Sequence, residues 1–190
     1  MVKFNIQKNI NLLNYTTIKV GGQTEYFAEP TNISELENIL KWASDKNINC
    51  QIFGAGSNLL ISGNIWKGLF ICTKKLKAIN LNPKTGILEA ESGVMLPTIS
   101  NLLAKNSCKG GEWSIGIPGT VGGAIFMNAG YGDFSISKHL LSVKVIDIQT
   151  LNIFNILRKD LNFKYRFSPF QKNKLIILSA KFYFEPGGDK

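Results

Sequence analysis

Apolar positions change their spacing several times along the chain, and each change marks an element. In TNISELENILKWASDKN, Ile33, Leu36, Ile39, Leu40 and Ala43 recur at helical spacing, with Asn32 placed as N-cap and Glu35 three residues on. The pattern predicts an amphipathic helix. The following run, Cys50–Phe53, is strand-length and stops at Gly54, and residues 59–61 predict a second short strand beyond the intervening GAGSN. GLFICT and GILEAES read as strands on either side of the turn-rich NPKTG, and Leu96–Lys105 carries a second helical pattern behind Pro97. LLSVKVIDI and LNIFNIL predict a hairpin turning at Gln149 and Thr150, KYRFSPFQ reads as irregular, and LIILSAKFYFEP as a last strand. Helices and strands mix without a regular βαβ rhythm, so the fold class is α+β.

One stretch fits none of these periods. In GGEWSIGIPGTVGGAIFMNAGYG, glycines crowd around short apolar residues too densely for an ordinary strand or helix. Such a segment brings backbone close to something. Gly116, Gly119, Gly122 and Gly123, set about the rigid Pro118, suit a backbone wall against a planar or phosphorylated ligand, with close packing of strands as the plain alternative. The earlier loop, Gly54, Ala55, Gly56, Ser57 and Asn58, follows a predicted strand, where exposed N–H groups form a nest for a diphosphate. It lacks the third glycine of GxGxxG, and about 20 residues on stand Lys74 and Lys75 where a ribose-binding acid is expected, which argues against a Rossmann domain. Two such loops, both read as emerging from strands, point to a large, elongated cofactor.

Composition narrows the classes. With 44% apolar and 18% charged residues, the 190-residue chain is a folded globule, long enough for one core or two lobes sharing an interface. No window holds the roughly 20 apolar residues of a membrane span, and the start shows no apolar h-region or small-residue cleavage site, so the expected location is cytoplasmic, with no membrane partner. Cys50, Cys72 and Cys108 lie far apart without a CxxC pair; they predict reduced, mostly buried thiols, and no metal site. The net charge of +9 comes almost wholly from scattered lysines, the arginines being Arg158 and Arg166, which favours a solvated basic surface over a nucleic-acid groove. Tyr165 and Arg166, paired in an irregular loop, are candidates for a carboxylate contact, because a guanidinium binds a carboxylate through two N–H bonds. His139, in SISKHLL, reads as structural or surface-facing.

The strings NYTTIKVGG, IFGAGSNLLIS, GIPGTVGGAIFMNAG and FKYRFSPF, in this order and spacing, resemble the UDP-N-acetylenolpyruvoylglucosamine reductases of bacterial cell-wall synthesis. The resemblance implies a two-lobed α+β FAD-binding fold of the vanillyl-alcohol oxidase and p-cresol methylhydroxylase type, with lobes at 1–75 and 76–190. It implies that Gly54, Ala55, Gly56, Ser57 and Asn58, with Gly116, Ile117, Pro118, Gly119, Thr120, Gly122, Gly123 and Ala124, hold FAD noncovalently. NADPH is then the reductant and a UDP-sugar the substrate, giving UDP-N-acetylmuramate for peptidoglycan. Arg166 matches the catalytic arginine that steadies negative charge on the substrate carboxylate, and Tyr165 the adjacent substrate-site tyrosine. The loop after MNAG is about one residue shorter than the resemblance leads one to expect, and the third domain it implies, with a serine proton donor and a late glutamate, has no counterpart before Lys190. The chain is therefore expected to be the flavin-binding part and inactive alone. The competing readings are an oxidase of the same flavin fold and a basic nucleic-acid-binding module.

Overall fold

A computed structural model describes residues 4–187. Two sheets organise it. The first contains β1 (Gln7–Asn11), β2 (Gln23–Ala28), β3 (Cys50–Phe53) and β4 (Trp66–Cys72), in the order β1-β2-β4-β3. β1 runs antiparallel to β2, whereas β2 and β3 flank β4 in parallel. Parallel strands need a crossover, and α1 (Ile33–Asp45) supplies it between β2 and β3. Its apolar stripe, Leu36, Ile39, Leu40 and Ala43, is the buried one. Asn32 caps it by accepting from the Glu35 N–H at 2.8 Å, while the Glu35 carboxylate reaches back one residue further than a capping box requires, to Thr31 N and Oγ1.

The second sheet is antiparallel and lies later in the chain. It is built from β5 (Ile79–Asn82), β6 (Ile87–Glu91), β10 (Leu140–Asp147), β11 (Ile153–Leu157) and β12 (Leu175–Tyr183), in the order β11-β10-β12-β6-β5. Between its first and last strands the chain passes through α2 (Leu96–Lys105), the two-residue strand β7 (Cys108–Lys109), α3 (Val121–Met127), the short ribbon β8 (Gly130–Tyr131) and β9 (Phe134–Ser135), and α4 (Ile136–His139); β13 (Glu185–Pro186) returns to pair with β7. The sheets are not separate bodies. Ile146, Ile176 and Leu178 of the second pack with Leu69 and Ile71 of the first, and with Leu36 and Ile39 of α1, in one buried cluster.

Three expectations change. Residues 59–61 form no strand: Leu60 is exposed, and the chain runs irregularly until β4 begins at Trp66. The partner of β6 across NPKTG is β5 rather than GLFICT, because the Asn82 side chain accepts from Lys84 and Thr85 N–H and closes that turn locally. The glycine-dense stretch contains a helix after all, since Thr120 Oγ1 caps Gly123 N and the apolar Val121, Ala124 and Ile125 bury one side of α3.

The hairpin of β10 and β11 forms where the spacing predicts, with Asp147 Oδ1 accepting from Gln149 and Thr150 N–H at 2.8 Å each. His139 is packed as a structural residue, stacked on Phe184 at 4.7 Å with Nδ1 on the Tyr183 carbonyl; burial lowers its pKa. Among the described residues no helix is long and apolar enough to cross a membrane, and no cluster of acids, histidines and cysteines is placed to hold a metal.

Candidate functional site

The two glycine segments, about 60 residues apart in sequence, lie against each other. GAGSN leaves β3 at Gly54, and a methyl group there would overlap Thr120 Oγ1. Ser57 Oγ donates to the Pro118 carbonyl at 3.1 Å across the same seam. The second segment does not emerge from a strand, as the sequence pattern suggests; it follows a short 3-10 turn, Glu112–Ser114. Its path is fixed by backbone bonds instead, Leu96 N–H to Gly119 O, Val121 N–H to Val94 O and Gly122 N–H to Ser92 O.

The glycines divide into two kinds. Gly54, Gly56 and Gly122 face protein: a side chain at Gly56, which also sits at φ +67°, would overlap the Tyr15 carbonyl, and one at Gly122 would press on Ser92 Cβ at 2.9 Å. Gly116, Gly119 and Gly123 face outward. Nothing lies within 4 Å of a methyl at Gly116, one at Gly119 meets Ser57 Oγ alone at 3.4 Å, and one at Gly123 meets Thr120 Oγ1 alone at 3.5 Å. Gly54 lets the two loops touch, Gly56 and Gly122 let each loop pack closely on its own surroundings, and the outward set leaves bare backbone along the shared edge. Ile117 packs on the core of the second sheet and Ala124 is buried in α3, so these two support the wall from behind.

A polar cleft of about 300 Å³ opens beside Gly54 and Ala55, lined also by Tyr15, Thr16, Thr17, Lys19 and Lys74. None of these last residues was singled out from the sequence as a contact. The available signal was the NYTTIKVGG string, whose Thr17 N–H bonds Gly56 O and ties it to the first glycine loop. Lys19 and Lys74 give the cleft positive charge, while Glu29 on its wall is held by Lys75 at 3.1 Å. Cys72 also lines it, directly beside Gly54, with Sγ 3.4 Å from the Gly54 carbonyl.

Burial pushes the thiols of Cys50 and Cys72 up to about 11. The thiolate is the reactive species, so all three cysteines are expected to react with Ellman's reagent far more slowly at pH 8 in the native protein than after denaturation. The same upward shift has a sign for stability: the folded state holds these protons more tightly, so their stabilising effect is present below pH 9 and is lost as pH rises towards 11. A thiol titration in the presence and absence of guanidinium checks the first point, and thermal melts across that pH range the second.

Tyr165 and Arg166 occupy the centre of a four-residue turn, Lys164 to Phe167, closed in both directions by 3.1 Å backbone hydrogen bonds. Both side chains are exposed, with the Arg166 guanidinium 5.3 Å from the Tyr165 ring centroid. Arg166 has φ +51°, a left-handed conformation that costs a residue with a Cβ about 1–2 kcal/mol and is usual for glycine. Its Nη2 donates to Gly130 O at 3.1 Å, just beyond the C-terminal end of α3. Because α3 starts at the wall residues and ends at this turn, seven residues join the outward glycines to the arginine. Tyr131 and Phe134, on the β8–β9 ribbon next to Gly130, add exposed aromatic surface there; no period or motif in the sequence marks them. Arg158 is engaged elsewhere, donating to Ser137 O and Leu161 O and lying over Phe163.

Residues 24–150, which include both glycine segments, match the family model described as FAD binding domain. The chain belongs to this FAD-binding domain family. It is 57% identical over its whole length to the UDP-N-acetylenolpyruvoylglucosamine reductase of Prochlorococcus marinus subsp. pastoris, and it spans 64% of that relative. Among solved structures it is similar to the UDP-N-acetylenolpyruvylglucosamine reductase of Thermus caldophilus, with a TM-score of 0.79 and 23% identity, covering 97% of this chain and 64% of the other. An alkyldihydroxyacetonephosphate synthase shares the fold at a TM-score of 0.63 and 15% identity, over 88% of this chain and 33% of its own. The FAD-binding domain is thus of the two-lobed α+β type, a fold shared with a protein of another activity. Its residues fit the cofactor the family name implies, since the outward glycines leave an open edge that side chains would fill.

Proposed function

We propose that this chain holds FAD noncovalently along the paired glycine segments and forms the flavin-binding part of a UDP-N-acetylenolpyruvoylglucosamine reductase, with lobes at 1–75 and 76–190. The observation that carries the reading is the seam itself: Gly54 against Thr120 and Ser57 against Pro118 on the inside, with Gly116, Gly119 and Gly123 bare on the outside. The 54–58 loop borders the cleft at Gly54 and Ala55, which suits its backbone N–H groups to a diphosphate, and bare glycine backbone in the second segment permits approach of a flat ring system. The similarity at 57% identity supports the choice of reductase among the activities the fold carries.

When bound, FAD supplies hydride exchange between NADPH and the enolpyruvyl group of a UDP-sugar in the peptidoglycan pathway of the cytoplasm. The chain's own contribution is placement and charge. Arg166 presents an N–H fork to the substrate carboxylate, where negative charge grows as hydride adds to the adjacent double bond, and Tyr165 lies beside it to orient the same group.

A titration of the purified chain with FAD tests the reading. Quenching of flavin fluorescence is expected, together with thermal stabilisation equivalent to about 2.7 kcal/mol at a hundredfold excess over Kd. Acid denaturation is expected to release the flavin intact, because His139 is stacked on Phe184 and the Cys72 thiol is buried and protonated. Saturating FAD that leaves both fluorescence and melting temperature unchanged overturns the assignment.

A further inference from the structure

The turn that carries Arg166 is held from three points on one helix end. Phe126 and Met127 are the last residues of α3, and Asn128 caps it in the left-handed conformation at φ +45°. The carbonyls of a helix's last turn have no partner within the helix, and here the segment just after the arginine's turn provides one: Ser168 Oγ donates to Phe126 O at 2.7 Å, and Gln171 Nε2 donates to the same oxygen at 2.9 Å. Gln171 Nε2 also donates to Arg166 O at 3.1 Å. From the other side, Asn128 Nδ2 donates to Lys164 O at 2.8 Å. Asn128 therefore grips the residue at the start of the turn and Gln171 the carbonyl of the arginine itself.

We infer that Asn128 and Gln171 are positioning residues that hold the Lys164–Phe167 turn, and with it the Arg166 guanidinium, in one pose relative to the glycine wall at the other end of α3. The inference rests on the proposed reaction for the charge that Arg166 meets. Left-handed backbone at a non-glycine residue persists where its surroundings fix it, and the hydrogen bond of Gln171 to the Arg166 carbonyl is the contact on that very peptide. Ser168 is fully buried and anchors the segment as a whole, so loss of its hydroxyl affects folding. Gln171 is exposed, and its three partners are two carbonyls of the site and the Met127 sulfur at 3.8 Å, so its removal acts on the turn rather than on the core.

With two arginines in the chain, a ¹⁵N-labelled sample gives two Nε–Hε signals, and Arg158, bonded to two carbonyls and covered by Phe163, is the internal reference. In Gln171→Leu, and separately in Asn128→Gly, which keeps the left-handed backbone and removes the clamp, the order of the Arg166 Nε–Hε and backbone amide is expected to fall by about a third. Arg158 is expected to stay unchanged, as is FAD affinity within about twofold. Gln171→Lys restores a donor to both carbonyls and is expected to recover the order of the unmodified chain. Unchanged Arg166 order in Gln171→Leu, or equal loss at Arg158, overturns the clamp. Absence of FAD binding in the unmodified chain overturns the flavin reading instead, and the contrast between the two arginines still judges the clamp.

Discussion

In an enzyme of the relatives' full length, Arg166→Lys is expected to slow reduction of the enolpyruvyl sugar by about 10²-fold or more while leaving reduction of bound flavin by NADPH within a few-fold of normal. One preorganised donor aimed at developing charge is worth about that much, and lysine offers a flexible point charge in place of a planar fork. The geometry sharpens the expectation. The guanidinium stands over the Tyr165 ring and reaches Gly130 O, so its plane is set by two neighbours that an ammonium does not engage in the same way. Stopped-flow absorbance separates the two half-reactions: flavin bleaching on mixing with NADPH, and its return on mixing the reduced enzyme with the UDP-sugar. Equal slowing of both makes Arg166 a structural residue of the turn and sinks the assignment of its role.

What could be read from the sequence depended on the range of the forces involved. α1 and α2 were legible because helical spacing and capping are local: Asn32, Glu35 and Pro97 act within a few residues of themselves. The β10–β11 hairpin was legible for the same reason, through Asp147. The failures lie where a distant partner decides. Residues 59–61 are apolar enough for a strand, but no neighbouring edge takes up their backbone. Valine, alanine and isoleucine set among glycines became α3 because their apolar side chains bury on the second sheet's core, which no count of glycines reveals. The site divides likewise. Both glycine segments and the Tyr165–Arg166 pair stood out by composition, but that 54–58 touches 118–120, and that Gln171 reaches Phe126, are contacts across 45 residues or more. Thr17 and Lys19 stayed unassigned because nothing in a Thr-Thr-x-Lys string by itself says that it borders a cleft.

Gly123→Val is expected to weaken FAD binding by at least tenfold, about 1.4 kcal/mol, while shifting the stability of the FAD-free protein by no more than about 0.5 kcal/mol. The two halves of that statement have different causes. Gly123 is exposed in the first turn of α3, its backbone is already helical, and an added side chain touches Thr120 Oγ1 at ordinary contact distance; valine is also a better helix former than glycine. The folded chain has no reason to object. A ligand lying on that backbone does, because a branched side chain fills the space through which it approaches. Gly56→Val is the opposite case. Its φ of +67° is disfavoured for valine and the new side chain collides with the Tyr15 carbonyl, so the apo-protein itself is expected to lose more than about 2 kcal/mol and to melt several degrees lower. Thermal melts without flavin, paired with fluorescence titrations, place each variant on both axes. If Gly123→Val binds FAD as the unmodified chain does, the outward glycines are not the cofactor wall. If it fails to fold, the space beside Gly123 is filled by the protein itself and the seam has been misread.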